Sequence, residues 1–253
     1  MSRSLSRRTL ITAGLTTAGS AAGVAAAAKL AARYGLIPPD WNGIYGPGET
    51  LTYAAQRILT SGHSMAREFT RGEISKVAQV SGDPPKRDIY RHLSATGFNN
   101  WRLSIDGLVA RPASFSLADL RKLAPRSQIT EHTCEEGWSF VAEWTGVPLS
   151  ELMSLVGILP QARYVAFFPF DESWDSLDLA DVWHPQTLIA YAMNGQPLPA
   201  EHGAPARLKV PRQLGYKSVK YLTRITVTDT LKDIGSGRGS SSPDYGYSWY
   251  AGI

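Results

Sequence analysis

No regular rhythm of strand, helix and strand runs through this chain of 253 residues. That absence constrains the fold most, because a doubly wound parallel sheet needs a crossover helix after nearly every strand. Short apolar or alternating runs follow one another instead, with helices inserted irregularly. Trp101–Ile105 alternates apolar and polar residues and stops at the Asp106-Gly107 turn, which predicts a strand. Ser116-Leu-Ala-Asp119 is a capping-box start for a helix over 117–124, closed before Pro125. A strand-like run covers 126–133, and 138–144 reads as a second strand or turn. Val147-Pro148-Leu149-Ser150 opens a helix to Leu155, with proline inside its first turn and Gly157 past its end. The unbroken apolar run Tyr164–Phe168 reads as a buried strand. A short helical piece at 177–183 and an apolar run at 187–193 follow, the second ending at the Asn194-Gly195 turn. Ala206–Val210 and Leu222–Thr228 alternate as strands. Residues 71–99, with Asp83-Pro84-Pro85, read as an irregular surface segment. Strands and helices mixed in this way predict an α+β fold with a mixed sheet, and the 43% hydrophobic content is enough for one sizeable core.

The two ends differ from the middle. Residues 1–33 hold Arg3, Arg7, Arg8, Lys29 and Arg33 but no Asp or Glu, and Leu10–Ala28 is an uncharged run rich in Ala, Gly and Thr. A basic start before an apolar stretch is the layout of an export signal, and Arg7-Arg8 resembles a twin-arginine signal. The expected destination is the periplasm, with a membrane anchor as the alternative if the signal is uncleaved. Residues 34–54, rich in Pro and Gly, read as a linker or arm, 55–230 as the catalytic domain, and 231–253 as a Gly/Ser-rich and then aromatic tail. Setting the first 33 residues aside turns the formal charge of +4 into 21 basic against 22 acidic residues. A near-neutral body gives no argument for nucleic acid.

Cys134 is the only cysteine, so no internal disulfide exists. It follows a strand-like run and precedes a turn with Gly137. Its neighbours His132, Glu135, Glu136 and Ser139 are polar, which suits a reactive site better than a buried packing position.

Two stretches carry a resemblance. One is Ile129-Thr-Glu-His-Thr-Cys134-Glu-Glu-Gly-Trp138-Ser139 with Trp144-Thr-Gly-Val-Pro-Leu149. The other runs from His184-Pro185 through Tyr191-Ala-Met-Asn194-Gly195 and His202-Gly203-Ala-Pro205-Ala-Arg207 to Gly215-Tyr-Lys217-Ser218-Val219-Lys220. Over residues 55–230 the chain resembles the molybdopterin-binding oxidoreductases of the sulfite-oxidase fold. The resemblance implies molybdenum and molybdopterin as cofactor, the metal being held by two pterin sulfurs and one protein thiolate, which falls on Cys134. A soft thiolate suits a metal already bound to sulfur. By motif match His202, Arg207, Ser218, Val219 and Lys220 hold the pterin and its phosphate, with Lys217 beside them. His63 and Arg67 lie where the family places an earlier pterin contact, and Tyr191 where it places the substrate side of the metal.

The family's sulfite oxidases follow the cysteine with arginines. Here Glu135-Glu136-Gly137-Trp138-Ser139 follows, which resembles the form beside the cysteine in periplasmic reductases of protein methionine sulfoxide. An acidic pair there would repel sulfite or nitrate. The resemblance therefore implies oxygen-atom transfer with reduction of a small-molecule or protein sulfoxide. Sulfite oxidation in the same fold and a cofactor-free binding module are the alternatives. No haem or iron–sulfur cysteine pattern is present, so electrons are expected from a membrane haem protein or a soluble cytochrome. About 25 residues follow the last strand, too few for the dimerisation domain of sulfite oxidases, so a monomer is expected.

Overall fold

The computed structural model describes Lys29, Ala31 and residues 35–59, 64–171 and 173–253. The expected export signal falls almost wholly outside the described residues, and His63 lies outside them as well. The fold is α+β, built on two five-stranded sheets.

The first sheet joins β1 (Arg102–Gly107), β2 (Ala113–Ser116), β5 (Tyr164–Pro169), β6 (Asp175–Asp178) and β10 (Leu222–Thr228) in the order β2-β1-β10-β5-β6. Its one parallel pair is β1 with β10, the first and last strands in chain order. The second sheet is antiparallel. It runs from β3 (Arg126–Thr133) to β4 (Ser139–Pro148), β7 (Leu188–Met193) and the short β8 (Gln196–Pro197), with β9 (Arg207–Lys209) also paired to β7. At Gly146 the β4–β7 register shifts, and a Cβ there would collide with the Ile189 carbonyl, so only glycine fits this close approach.

Helix α1 (Pro47–Leu59) precedes the sheets. The others are α2 (Asp88–Ala95), α3 (Leu117–Lys122), α4 (Leu149–Val156) and α5 (Leu179–Val182). Ser116 caps α3, its Oγ accepting from the Asp119 N–H at 3.0 Å while Asp119 accepts from the Ser116 N–H at 3.1 Å. α4 ends at Gly157 in the left-handed region, φ 70°. It buries Leu149, Leu152, Met153 and Val156 in the main core. Leu103, Ile105, Val165, Phe167, Ile225 and Val227 of one sheet join Ile189 and Leu208 of the other there.

Three details depart from the expectations. Residues 71–99 are not wholly irregular, because α2 forms there. Tyr90, its one buried residue, packs edge-on against Phe170 and Tyr221. Residues 175–178 are a buried strand ahead of a single helical turn. The arm and the tail are packed together, since the Tyr53 ring of α1 meets Trp249 at 5.7 Å and Tyr250 at 5.2 Å.

Candidate functional site

Cys134 sits at the tip of the β3–β4 hairpin, one residue past the Thr133–Ser139 pair. The tip is closed by two backbone bonds. Cys134 donates its N–H to the Trp138 carbonyl at 2.8 Å, and Gly137 donates to the Cys134 carbonyl at 3.1 Å. Gly137 takes φ 89°, which a side chain would strain. The hairpin therefore fixes the position of the thiol.

The thiol lines a cavity of about 360 Å³, within the roughly 300–1,000 Å³ of small-molecule sites. His202, Arg207, Ser218, Val219 and Lys220 line the same cavity, and so does His132. Thus six of the expected site residues meet from three separate parts of the chain: the β3–β4 hairpin, the turn before β9 with the first residue of that strand, and the segment between β9 and β10.

Among the described residues no carboxylate forms an ion pair with Arg207, Lys209 or Lys220, although Asp83, Asp171 and Glu201 also line the cavity. Arg207 is 3% exposed, yet its guanidinium donates only to backbone carbonyls: His202 at 3.0 Å, Ser218 at 2.8 Å and Leu208 at 3.3 Å. Burial lowers it to about 10. Lys209, two residues on and behind the cavity lining, donates to the Glu131 carbonyl at 2.8 Å and lies 3.4 Å from His132 Nδ1. Burial and then Arg207 push this lysine well below its usual value. Lys220 donates to the carbonyls of Ser81 at 2.6 Å and Glu201 at 3.0 Å, and burial followed by Arg207 lowers it to about 8. Burial, then Arg207 and Lys220, holds His202 down at about 4. The Trp144 ring lies under the cluster, 5.2 Å from Arg207 and 5.3 Å from Lys209.

Cations gathered in a largely buried wall without a direct ion pair are stabilised when an anion joins them. A phosphate-bearing group would balance this charge, and Arg207 and Lys220 are the residue types that grip phosphate. Gly203 lets the chain pass close to this cluster, since a Cβ there would lie 2.9 Å from Lys220 Cβ.

Burial, with Glu135 adding to it, raises the Cys134 thiol to about 11. Such a thiol is a poor free nucleophile at neutral pH, whereas a soft metal ion would bind it as thiolate. Among the described residues no group of three or more His, Cys, Asp or Glu side chains could hold a metal ion. A metal at Cys134 would need ligands beyond these side chains, and the residues present fit a pterin dithiolene with a terminal phosphate.

Other expected residues lie elsewhere. Lys217 is 1% exposed and does not line the cavity; it is ion-paired to Asp175 and donates to the Ser176 carbonyl at 2.8 Å. Tyr191, on β7, is packed in the main core and does not line the cavity. Arg67 is exposed, bonded to Glu73 at 3.2 Å and lying over the Phe69 ring. The sequence reading missed Ser81, Asp171, Trp174, Tyr216 and Tyr245, which also line the cavity. Of these Tyr216 lies inside the second motif stretch and Tyr245 in the aromatic tail; the other three carried no signal. Ser81 Oγ donates to Glu136 at 2.9 Å and Trp138 Nε1 donates to the same carboxylate at 2.9 Å, so Glu136 is held at the rim. Glu135 accepts from the thiol at 3.4 Å.

Residues 91–234 match the family model described as "Oxidoreductase molybdopterin binding domain". The YedZ1 protein of Azospira oryzae is 38% identical over 165 residues, 65% of this chain and 60% of its own length. The protein-methionine-sulfoxide reductase catalytic subunit MsrP of Ralstonia nicotianae is 34% identical over 57% of this chain and 48% of its own length. MsrP of Xanthomonas axonopodis pv. citri is 31% identical over 74% of this chain and 63% of its own length. The chain thus spans about half to three fifths of these relatives. Among solved structures, the sulfane dehydrogenase SoxCD from Paracoccus pantotrophus aligns with a TM-score of 0.50 and 27% identity, over 52% of this chain and 39% of that one. By its family match and its fold, the chain belongs to the oxidoreductase molybdopterin-binding domain family, with the sulfite-oxidase fold.

Proposed function

We propose that this chain is an exported molybdenum–molybdopterin oxidoreductase that acts as a monomer and reduces a sulfoxide by oxygen-atom transfer. One observation carries the reading: the lone thiol lines the same cavity as the buried Arg207 and the partly buried Lys220, neither ion-paired to a carboxylate among the described residues. The curated relatives named as methionine-sulfoxide reductases support the direction of the reaction.

Bound at this site, the cofactor supplies two-electron oxygen-atom transfer at molybdenum. Cys134, as thiolate, is the one protein ligand to the metal. Arg207 and Lys220 hold the terminal phosphate, and the Ser218–Lys220 main chain and His202 border the pterin. Glu135, beside the thiol, raises the cost of bringing an oxyanion to the metal and leaves a neutral sulfoxide unopposed. Arg7-Arg8 and the uncharged run after them support export by the twin-arginine route to the periplasm. Electrons come from a membrane haem protein or a soluble cytochrome.

The test is turnover by the full chain purified from a molybdenum-competent host. Oxidation of a reduced dye that depends on methionine sulfoxide, and is lost in Cys134→Ser, is the expected result. Sulfite-dependent cytochrome reduction without sulfoxide turnover would reverse the assigned direction.

A further inference from the structure

The segment from Asp40 to Leu59 is folded with its charge inward and its apolar side out. Asp40, Glu49 and Arg57 are its only charged residues, and all three are buried. Along α1 the inward stripe is Glu49, Tyr53 and Arg57, each four residues from the last. Leu51, Ile58 and Leu59 point the other way and are 70%, 65% and 82% exposed. Trp41, Ile44 and Tyr45, in the turns before the helix, are also exposed. A water-facing helix has the opposite arrangement. Single exposed apolar residues are ordinary, but a run of them with no exposed charge between marks a contact surface.

The rotation of the helix is fixed by its buried side. Arg57 Nε meets Asp178 at 2.8 Å, and the guanidinium also bonds Asp181. Tyr53 donates to Asp178 at 2.6 Å, and the Trp249 N–H donates to Asp40 at 2.6 Å. Turning the apolar stripe inward would break all of these.

We propose that this face rests on the surface of a phospholipid bilayer. Trp41 and Tyr45 carry apolar rings with polar tips, the side chains that settle at the headgroup boundary, and Leu51, Ile58 and Leu59 supply the apolar contact below it. The patch follows the uncharged run Leu10–Ala28 in the sequence, with Lys29 and Arg33 between and no acidic residue before Asp40. Cations close in sequence to an apolar face suit anionic headgroups. No helix among the described residues is long and apolar enough to cross a membrane, so the face lies on the bilayer rather than through it. One helix stripe is narrow for a stable dimer, which buries about 800 Å² per partner. The patch is also tied to the cavity. Tyr45 donates to the Gly246 carbonyl at 2.6 Å, and the neighbouring Tyr245 lines the cavity mouth. A chain seated on this face holds its site beside the membrane, where a membrane-embedded electron donor would reach it. The seating itself does not depend on the cofactor assignment.

Trp41 is the first tryptophan of the sequence, so the leading apolar run adds no tryptophan signal. The full chain is mixed with vesicles of phosphatidylethanolamine and phosphatidylglycerol, with and without bromine on the acyl chains. Trp41 is isolated as the difference between wild type and Trp41→Phe. Brominated lipid is expected to quench that difference signal by roughly half. In Leu51→Glu/Ile58→Glu, shown folded by its thermal transition, the quenching is expected to vanish. A vesicle-bound wild type whose Trp41 is not quenched, or no vesicle binding at all, overturns the proposal. So does equal quenching in the double variant. Trp41 shielded without lipid also overturns it: release on deleting residues 9–28 would assign the face to the chain's own leader, and a dimer broken by the double variant would assign it to a second copy.

Discussion

Two groups of cations in this molecule, buried or partly buried, are held in opposite ways. Arg57 and Lys217 sit against carboxylates, Arg57 between Asp178 and Asp181 and Lys217 on Asp175. For Arg57 the attraction of Asp178 and Asp181 outweighs the opposing effect of burial, and the group is raised. Arg207, Lys209 and Lys220 sit against backbone carbonyls, and all three are lowered by burial. The first group completes the protein's own structure, fastening α1 and the strand β6. The second has no ion-pair partner among the described residues, and in the proposed function it takes an anion from outside. Basic residues close together in a sequence motif can belong to either group, and only the partner tells which.

The contrast can be broken most forcefully at Arg57. Arg57→Ala leaves Asp178 and Asp181 buried without their cation, and urea unfolding is expected to show a loss of about 3–5 kcal/mol. At Arg207 the expected pattern is reversed. Arg207→Gln costs the cofactor-free protein less than about 2 kcal/mol, because only neutral carbonyls lose a donor. Its pterin content, read by fluorescence after oxidation, falls by roughly tenfold or more. A large stability loss at Arg207, or a small one at Arg57, would erase the distinction between the groups. Added inorganic phosphate sharpens it: the cofactor-free protein gains about 1 kcal/mol once phosphate exceeds its dissociation constant several-fold. Arg207→Gln/Lys220→Gln removes that gain, and Lys217→Met does not.

The smallest expected effects are in pH dependence, and their signs oppose. Glu49, raised to about 8 by burial and Asp40, binds a proton more tightly folded than unfolded. Its contribution is full below its unfolded value and is lost as pH rises through about 8. His202, lowered to about 4 beside Arg207 and Lys220, binds a proton less tightly when folded. Its contribution is full above its unfolded value and is lost as pH falls through about 4. Melting profiles of the cofactor-free protein should flatten on the alkaline side in Glu49→Gln and on the acid side in His202→Asn, each by on the order of 1 kcal/mol.

The strands were legible wherever one face alternates or the whole run is apolar: β3 and β10 have the expected limits, and β5 differs by one residue. Helix α2 was not, because its amphipathic pattern reduces to Tyr90, whose ring partners Phe170 and Tyr221 are far off in sequence. The strand Asp175–Asp178 was hidden for a related reason. Two of its four residues are aspartates, buried only because Lys217, Arg57 and Tyr53 meet them. In the site, local motifs led to Cys134, His202, Arg207 and Lys220, since each lies inside a patterned stretch. Ser81, Asp171 and Trp174 come from loops with no pattern of their own, and tertiary folding alone brings them to the cavity. Lys217 matched the same motif as Lys220, and nothing local revealed that Asp175, 42 residues away, holds it.

Molybdenum and pterin content, read together with the electron paramagnetic resonance of the Mo(V) state, tests most directly whether Cys134 and the unpaired cations form one cofactor site. In the full chain from a molybdenum-competent host, near-stoichiometric molybdenum and pterin are expected, with a Mo(V) signal altered or abolished in Cys134→Ser. Wild type without molybdenum and pterin, or a Mo(V) signal unchanged in Cys134→Ser, would contradict it.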